Sequence, residues 1–267
     1  MNLRGVRFLA SHQKPCLRSA LRPASSASLR ALIGYICSVG GRGRGSRQET
    51  EVDKCLLEEA CIGHVFAEFY RVTSKNLKKD FYEALEHHAT RLIDLFKSRK
   101  GVVGQSLGHL FQPINSQTNG ITTTRTVVLQ CLPLYLGDNS SEFFLSCSDS
   151  DTADDFTQVP VGVLNVMTSD MPPLINSVAI ILEGNLVMDD IPTTSQALCL
   201  LFGLIYALHL DYPKVMKNTF EFIQKILLNI GQQKLSPKLQ TLKKCSFGLD
   251  VVARESYAGV STSVVCE

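Results

Sequence analysis

The chain has 267 residues, 45% hydrophobic and 19% charged, enough apolar material for one sizeable core with tails. Its formal charge of +2 conceals a split, because residues 1–48 hold eight Arg and one Lys with no acid, giving +9, and residues 49–267 sum to −7. An acidic body excludes general nucleic-acid binding, which needs clustered Lys and Arg against phosphates.

The first segment, 1–48, is a basic arm in which Arg4, Arg7, Arg18, Arg22 and Arg30 are spaced among Leu, Ala, Phe and Ser. Arg-rich, Ser-rich, acid-poor segments able to form an amphipathic helix are typical of mitochondrial presequences. The arm therefore resembles one; the other readings are a disordered arm or upstream sequence joined to a real domain. Its apolar runs, such as 31–36, are too short for a secretory signal. GGRGRGSR at 40–47 resembles a short Arg-Gly box, but two Arg-Gly steps are weak evidence and a flexible linker is the better reading. The expected location is intracellular, with the mitochondrion as the address the arm points to, or otherwise the cytoplasm or nucleus.

Residues 50–71 are predicted helical from Leu56, Leu57, Ala60, Val65, Phe66 and Phe69, with capping side chains at Thr73 and Ser74. A second helix follows from Leu77, Phe81, Leu85, His88, Leu92, Leu95 and Phe96, which recur at three- and four-residue steps. Lys97, Arg99 and Lys100 suit its carbonyl end, and Gly101 its stop. A short helix is expected over 102–115, ended near Pro113, and 116–120 is turn-like. Residues 121–137 stay open, since the β-branched run argues strand while the length and Leu spacing allow helix.

Residues 138–155 are polar and acidic and read as an exposed loop; 159–167 reads as a strand or buried segment that Pro160 would confine to an edge. A β-hairpin is predicted at 177–191, where two apolar runs flank Glu183-Gly184-Asn185. The apolar stretch within 191–210 falls short of the ~20 residues of a membrane span, so a buried helix is expected and no transmembrane segment. Pro213 opens a last long helix striped with Met216, Phe220, Ile223, Leu227 and Ile230, with Lys214, Lys217, Glu221 and Lys225 facing water and Gly231 closing it. Ser236-Pro237 restarts a short helix through Leu242. The result is an α+β fold, mainly α-helical with a small β-hairpin: a disordered basic arm over 1–48, one domain over 49–245 and a poorly ordered tail over 246–267.

Three stretches, FKSRKGVVGQSLGHLFQPINSQT (96–118), DDFTQVPVGVLNVMTSDMPP (154–173) and ALCLLFGLIYALHLDYPKVMKNTFEFIQKILLNIG (197–231), carry a family resemblance. They are similar to the C-terminal region of the sterile alpha motif domain-containing protein 3-like family, over about 90–245. The resemblance implies no activity, cofactor or catalytic residue. The sterile alpha motif, the arm and the tail do not match, so the chain reads as a shortened or re-spliced copy.

Gly104-Gln105-Ser106-Leu107-Gly108 matches G-x-S-x-G, the elbow that projects a nucleophilic serine from a strand-to-helix turn. Asp190 and His209 follow in the order a hydrolase triad would need, but only Val102-Val103 stand where the preceding strand should be. Asp80, Glu83 and His87 share a helix face, and Cys61 and His64 form a lone C-x-x-H; neither set completes a metal site. Asp149, Asp151, Asp154 and Asp155 resemble a calcium loop, yet Asp154 and Pro160 occupy the positions that demand Gly and Glu, which leaves a solvated loop with Ser148 and Ser150 as candidate phosphorylation sites. Nine cysteines, at 16, 37, 55, 61, 131, 147, 199, 245 and 266, are odd in number, irregular in spacing and without C-x-x-C. That pattern fits reduced, mostly buried thiols. No catalytic, cofactor-binding or metal residue is assigned. The expected function is a non-enzymatic protein-interaction or scaffold domain with an unknown protein partner; a serine hydrolase using Ser106 is the alternative.

Overall fold

Helices form where apolar residues recur every three or four positions, and a computed structural model shows how they pack. It describes residues 51–112, 114, 120–147, 158–168, 170–171, 174–231 and 235–244, with side chains from Cys61 onward. The arm, the acidic stretch 149–155 and the tail from 245 lie outside the described residues.

Helix α1 spans Glu51–Thr73 and α2 spans Leu77–Ser98. The cap between them differs from expectation. Asn76 accepts from the Lys79 N–H at 3.1 Å, whereas the Thr73 hydroxyl bonds back to the Phe69 carbonyl. Asn76 sits one residue before the first helical position, where a short acceptor reaches the orphan N–H groups. The buried stripe of α2 is Leu77, Phe81, Leu85, Ala89, Leu92 and Phe96, so Ala89 takes the place expected for His88, which is only half-buried.

Helix α3 (Gly101–Leu110) and helix α4 (Ile121–Leu136) lie against α2 and each other. The β-branched run of α4 is helical because Val127, Val128, Leu129, Cys131, Leu132 and Leu136 find a core to enter, and packing overrides weak propensity. Gly137, at φ 71°, ends α4; its N–H and that of Asp138 return to the Leu134 and Pro133 carbonyls.

Residues 138–147 are not an exposed loop. A 3-10 turn, Ser140–Glu142, leads through fully buried Phe143 into β1, Phe144–Cys147. Strands β2 (Val161–Met167), β3 (Ile175–Leu182) and β4 (Asn185–Ile191) complete a sheet in the order β1-β2-β3-β4. β1 pairs with β2 in parallel, and the other pairs are antiparallel. β2 is thus interior, contrary to the edge expected from Pro160. The proline precedes the strand and owes the ladder no N–H, while its carbonyl accepts from Glu183 N at 2.7 Å. The expected hairpin is β3–β4, turned by Glu183 and Gly184 at φ 54° and 73°, the two left-handed positions of a tight hairpin turn.

β3 reads as a continuous apolar run because both its faces are covered. Val178, Ile180 and Leu182 join the main core, and Ala179 and Ile181 join Leu164 in a second cluster on the other face. Helix α5, Thr194–Ala207, is buried along almost its whole length between the sheet and helices α1, α2 and α4. Gly203 permits its closest approach: a Cβ there would lie 2.7 Å from Val65 Cγ1 and 2.9 Å from Leu77 Cδ2.

The last long helix is segmented. A 3-10 turn (Lys214–Met216) follows Pro213, then α6 (Lys217–Phe222), then a π-helical turn (Ile223–Leu227). It ends before Gly231, with Asn229 in the left-handed region at φ 49°. Met216, Phe220, Ile223, Leu227 and Ile230 are all buried, as their spacing predicts. Lys214 and Lys217 face water, but the ion-paired Glu221 and Lys225 are only 13% and 15% exposed. Helix α7, 237–244, buries Leu239 and Leu242 on the same core.

Candidate functional site

Ser106 lies in the middle of α3, half-buried, with no strand before it. Gly104 has a packing role: a Cβ there would run into the Arg99 carbonyl. Asp190 is in β4 at φ 52°, and His209 is in the turn after α5 at φ 56°. Glu83 and His87 are exposed on α2, where Glu83 faces Lys79 at 3.9 Å, and Asp80 is half-buried. Cys61 points into the core while His64 is exposed, so the C-x-x-H divides between two faces of α1. Among the described residues no cluster of His, Cys, Asp and Glu could hold a metal ion. Cys61, Cys131 and Cys199 are buried, and Cys147 is half-buried.

Three polar constellations hold the core together. Asp138 reaches across 80 residues of sequence to the start of α6, where its carboxylate accepts from Thr219 N and Oγ1 at 2.7 Å each and from Asn218 Nδ2 at 2.9 Å. In the second, Thr194 at the head of α5 donates to Asn165 Oδ1 at 3.2 Å, and Asn165 donates to the Leu145 carbonyl at 3.3 Å, which ties the helix to β2 and β1. Nearby, the Arg125 guanidinium lies 4.4 Å from the Tyr82 ring centre while pairing with Glu86. In the third, Tyr212 donates to Gln224 Oε1 at 2.8 Å beside Tyr206, inside a cluster of Phe69, Phe202 and Phe220.

Burial drives the titration of these groups. It pushes the Tyr82 and Tyr206 phenols and the Cys131 thiol up to about 12, and Tyr212 upward as well, because the anion cannot be solvated there. A group that folding makes harder to ionise contributes stability at pH values below its unfolded pKa. That contribution disappears as pH rises toward the folded value. Unfolded Cys and Tyr titrate near ~8.5 and ~10. The urea midpoint is therefore expected to hold from neutrality to about pH 8.5 and then to fall steadily toward pH 12. A midpoint unchanged at pH 11 would contradict the burial of these groups.

Exposed apolar side chains occur singly at Tyr70 and Ile121, as a pair at Val102 and Val103, and as a group of three at the β2–β3 connection and the start of β3. Met171 is 93% exposed, Leu174 56% and Ile175 44%. The base of this loop is closed, since Thr168 N donates to the Leu174 carbonyl at 2.7 Å and Leu174 N to Thr168 Oγ1 at 3.0 Å. Sequence reasoning missed this feature. Its signal was an apolar run around Pro172-Pro173 in a connection, where no element could bury it. No helix among the described residues is long and apolar enough to cross a membrane. Compared with protein-family models, curated proteins and solved structures, the chain has no match.

Proposed function

We propose that this chain is a non-enzymatic protein-interaction domain, whose mainly helical core serves to hold a docking loop at the end of its sheet. The observation that carries the reading is the exposure of Met171 and Leu174 in a connection closed at its base and of Ile175 at the start of β3 beside them. Exposed apolar groups that the fold holds outward favour contact with another apolar surface. No particular observation favours the hydrolase alternative at Ser106.

The test places a photo-crosslinking phenylalanine analogue at position 171 in cells, with position 79, on an exposed polar helix face, as control. A discrete adduct is expected from 171, absent from 79 and lost in the Leu174→Asp, Ile175→Asp variant with its melting temperature unchanged. No adduct from 171, or the same adduct from both positions, would remove the proposal.

The basic arm supports a separate proposal about address, that residues 1–48 direct the chain to mitochondria. Such a segment fused to a fluorescent reporter should reach mitochondria and lose that location when Arg4, Arg7, Arg18 and Arg22 become Glu. A diffuse reporter bearing the native arm would sink the idea.

A further inference from the structure

The corner between α2 and α3 concentrates positive charge on a body whose net charge is negative. Lys97, Ser98, Arg99 and Lys100 are all exposed, and Val102 beside them is 79% exposed and Val103 37%. None of the three cations has a carboxylate within ion-pair distance among the described residues, although Arg71, Arg125, Lys79 and Lys225 elsewhere each do. Two of them lie over aromatic rings instead. Lys97 Nζ lies 5.7 Å from the centre of the Phe111 ring, and the Arg99 guanidinium 5.3 Å from that of Tyr135. Both contacts are made by the charged heads, which the rings orient on side chains that remain exposed.

The local sequence also departs from helix-building preference. Lys100 occupies the N-cap of α3 and makes no side-chain cap bond, where Ser, Thr, Asp or Asn would satisfy an orphan N–H. Two valines occupy the first turn and face water, although solvent-exposed helix ends usually take polar residues, Asp and Glu above all. Where residues break a local rule with no packing gain, the cost is commonly tied to function. A cationic corner with exposed apolar side chains next to its charges matches a segment that carries carboxylates beside an apolar residue.

We infer that the α2–α3 corner is a docking surface for an acidic peptide segment of a partner protein, with Lys97, Arg99 and Lys100 meeting its carboxylates and Val102 its apolar side chain. This surface is distinct from the β2–β3 loop and does not rest on it.

The test uses the full chain with a photo-crosslinking phenylalanine analogue at position 103, which reports contact at this corner. The probes are a synthetic peptide of alternating Glu and Leu, its Gln-for-Glu counterpart, and vesicles of phosphatidylcholine with one-third phosphatidylserine. The acidic peptide should crosslink, at least tenfold more than the Gln peptide, with the yield falling in 0.5 M salt. Lys97→Glu with Lys100→Glu should reduce it at least tenfold, and Val102→Ser about threefold, with unaltered melting temperatures. Lys100→Glu alone, at a side chain with no cap bond, supplies a variant expected to fold normally. Equal crosslinking of both peptides, yields that ignore the charge reversals, or labelling by lipid in preference to peptide would each overturn the inference. Failure here would leave the adduct expected from position 171 unaffected.

Discussion

Phe220→Ala should unfold the domain or bring it close to unfolding. The Phe220 ring is fully buried, stacked on Phe202 at 6.2 Å, edge-on to Phe143 at 5.9 Å and tilted against Tyr212 at 5.3 Å. It therefore joins α6 to α5 and to the entry of β1. Truncating a buried Phe costs ~3–5 kcal/mol in lost transfer energy and cavity formation. A whole domain of this kind is stable by only ~5–15 kcal/mol. Lys217, three residues earlier, is exposed, and Lys217→Ala should change stability by less than ~0.5 kcal/mol. Urea melts of the two variants separate these effects. Equal midpoints would mean that the stripe of α6 does not face a core at all.

Asp138→Ala should destabilise the domain by about 2–4 kcal/mol, far more than expected for a polar residue just past a helix end. Its carboxylate caps α6 from a distance, and hydrogen bonds to charged groups are worth ~1.5–3 kcal/mol each. Thr219 is fully buried, so removing the carboxylate leaves its hydroxyl and N–H without this acceptor. Asp138→Asn should cost less, because one oxygen remains to accept. A double-mutant cycle with Thr219→Val should give a coupling energy above ~1 kcal/mol, since the second change deletes the stranded hydroxyl. A coupling near zero would show that the clamp contributes nothing to stability.

The comparison of sequence with structure turns on the reach of each signal. Helices α2 and α5, the stripe of α6 and the β3–β4 hairpin were legible because their cause is local. Periodicity at three and four residues, an uncharged apolar run, and Glu183-Gly184 between two β-prone segments need no distant partner to be read. The limits of α2 were also local, although the cap is Asn76 and not Thr73 or Ser74. Neither docking surface was read as such. The cations of 97–100 were visible, but nothing in their spacing says that Phe111 and Tyr135 hold them or that Val102 stays outside.

What the sequence determined by itself, then, is composition, the split of charge between arm and body, and the elements whose hydrophobic period is unambiguous. Tertiary structure alone decided the rest. Residues 121–136 became a helix because apolar side chains on α2, α3 and α5 were there to receive Val127, Val128 and Leu132. Residues 144–147, read as solvated loop, became a strand because β2 offered a parallel edge, a partner nearly twenty residues away that no window of sequence contains. Pro160 proved harmless to an interior strand because it stands just outside the ladder. Asp138 acquired its role only when folding brought Thr219 within 2.7 Å. In each case the deciding interaction joins residues far apart in the chain, and its energy exists only once the core has formed.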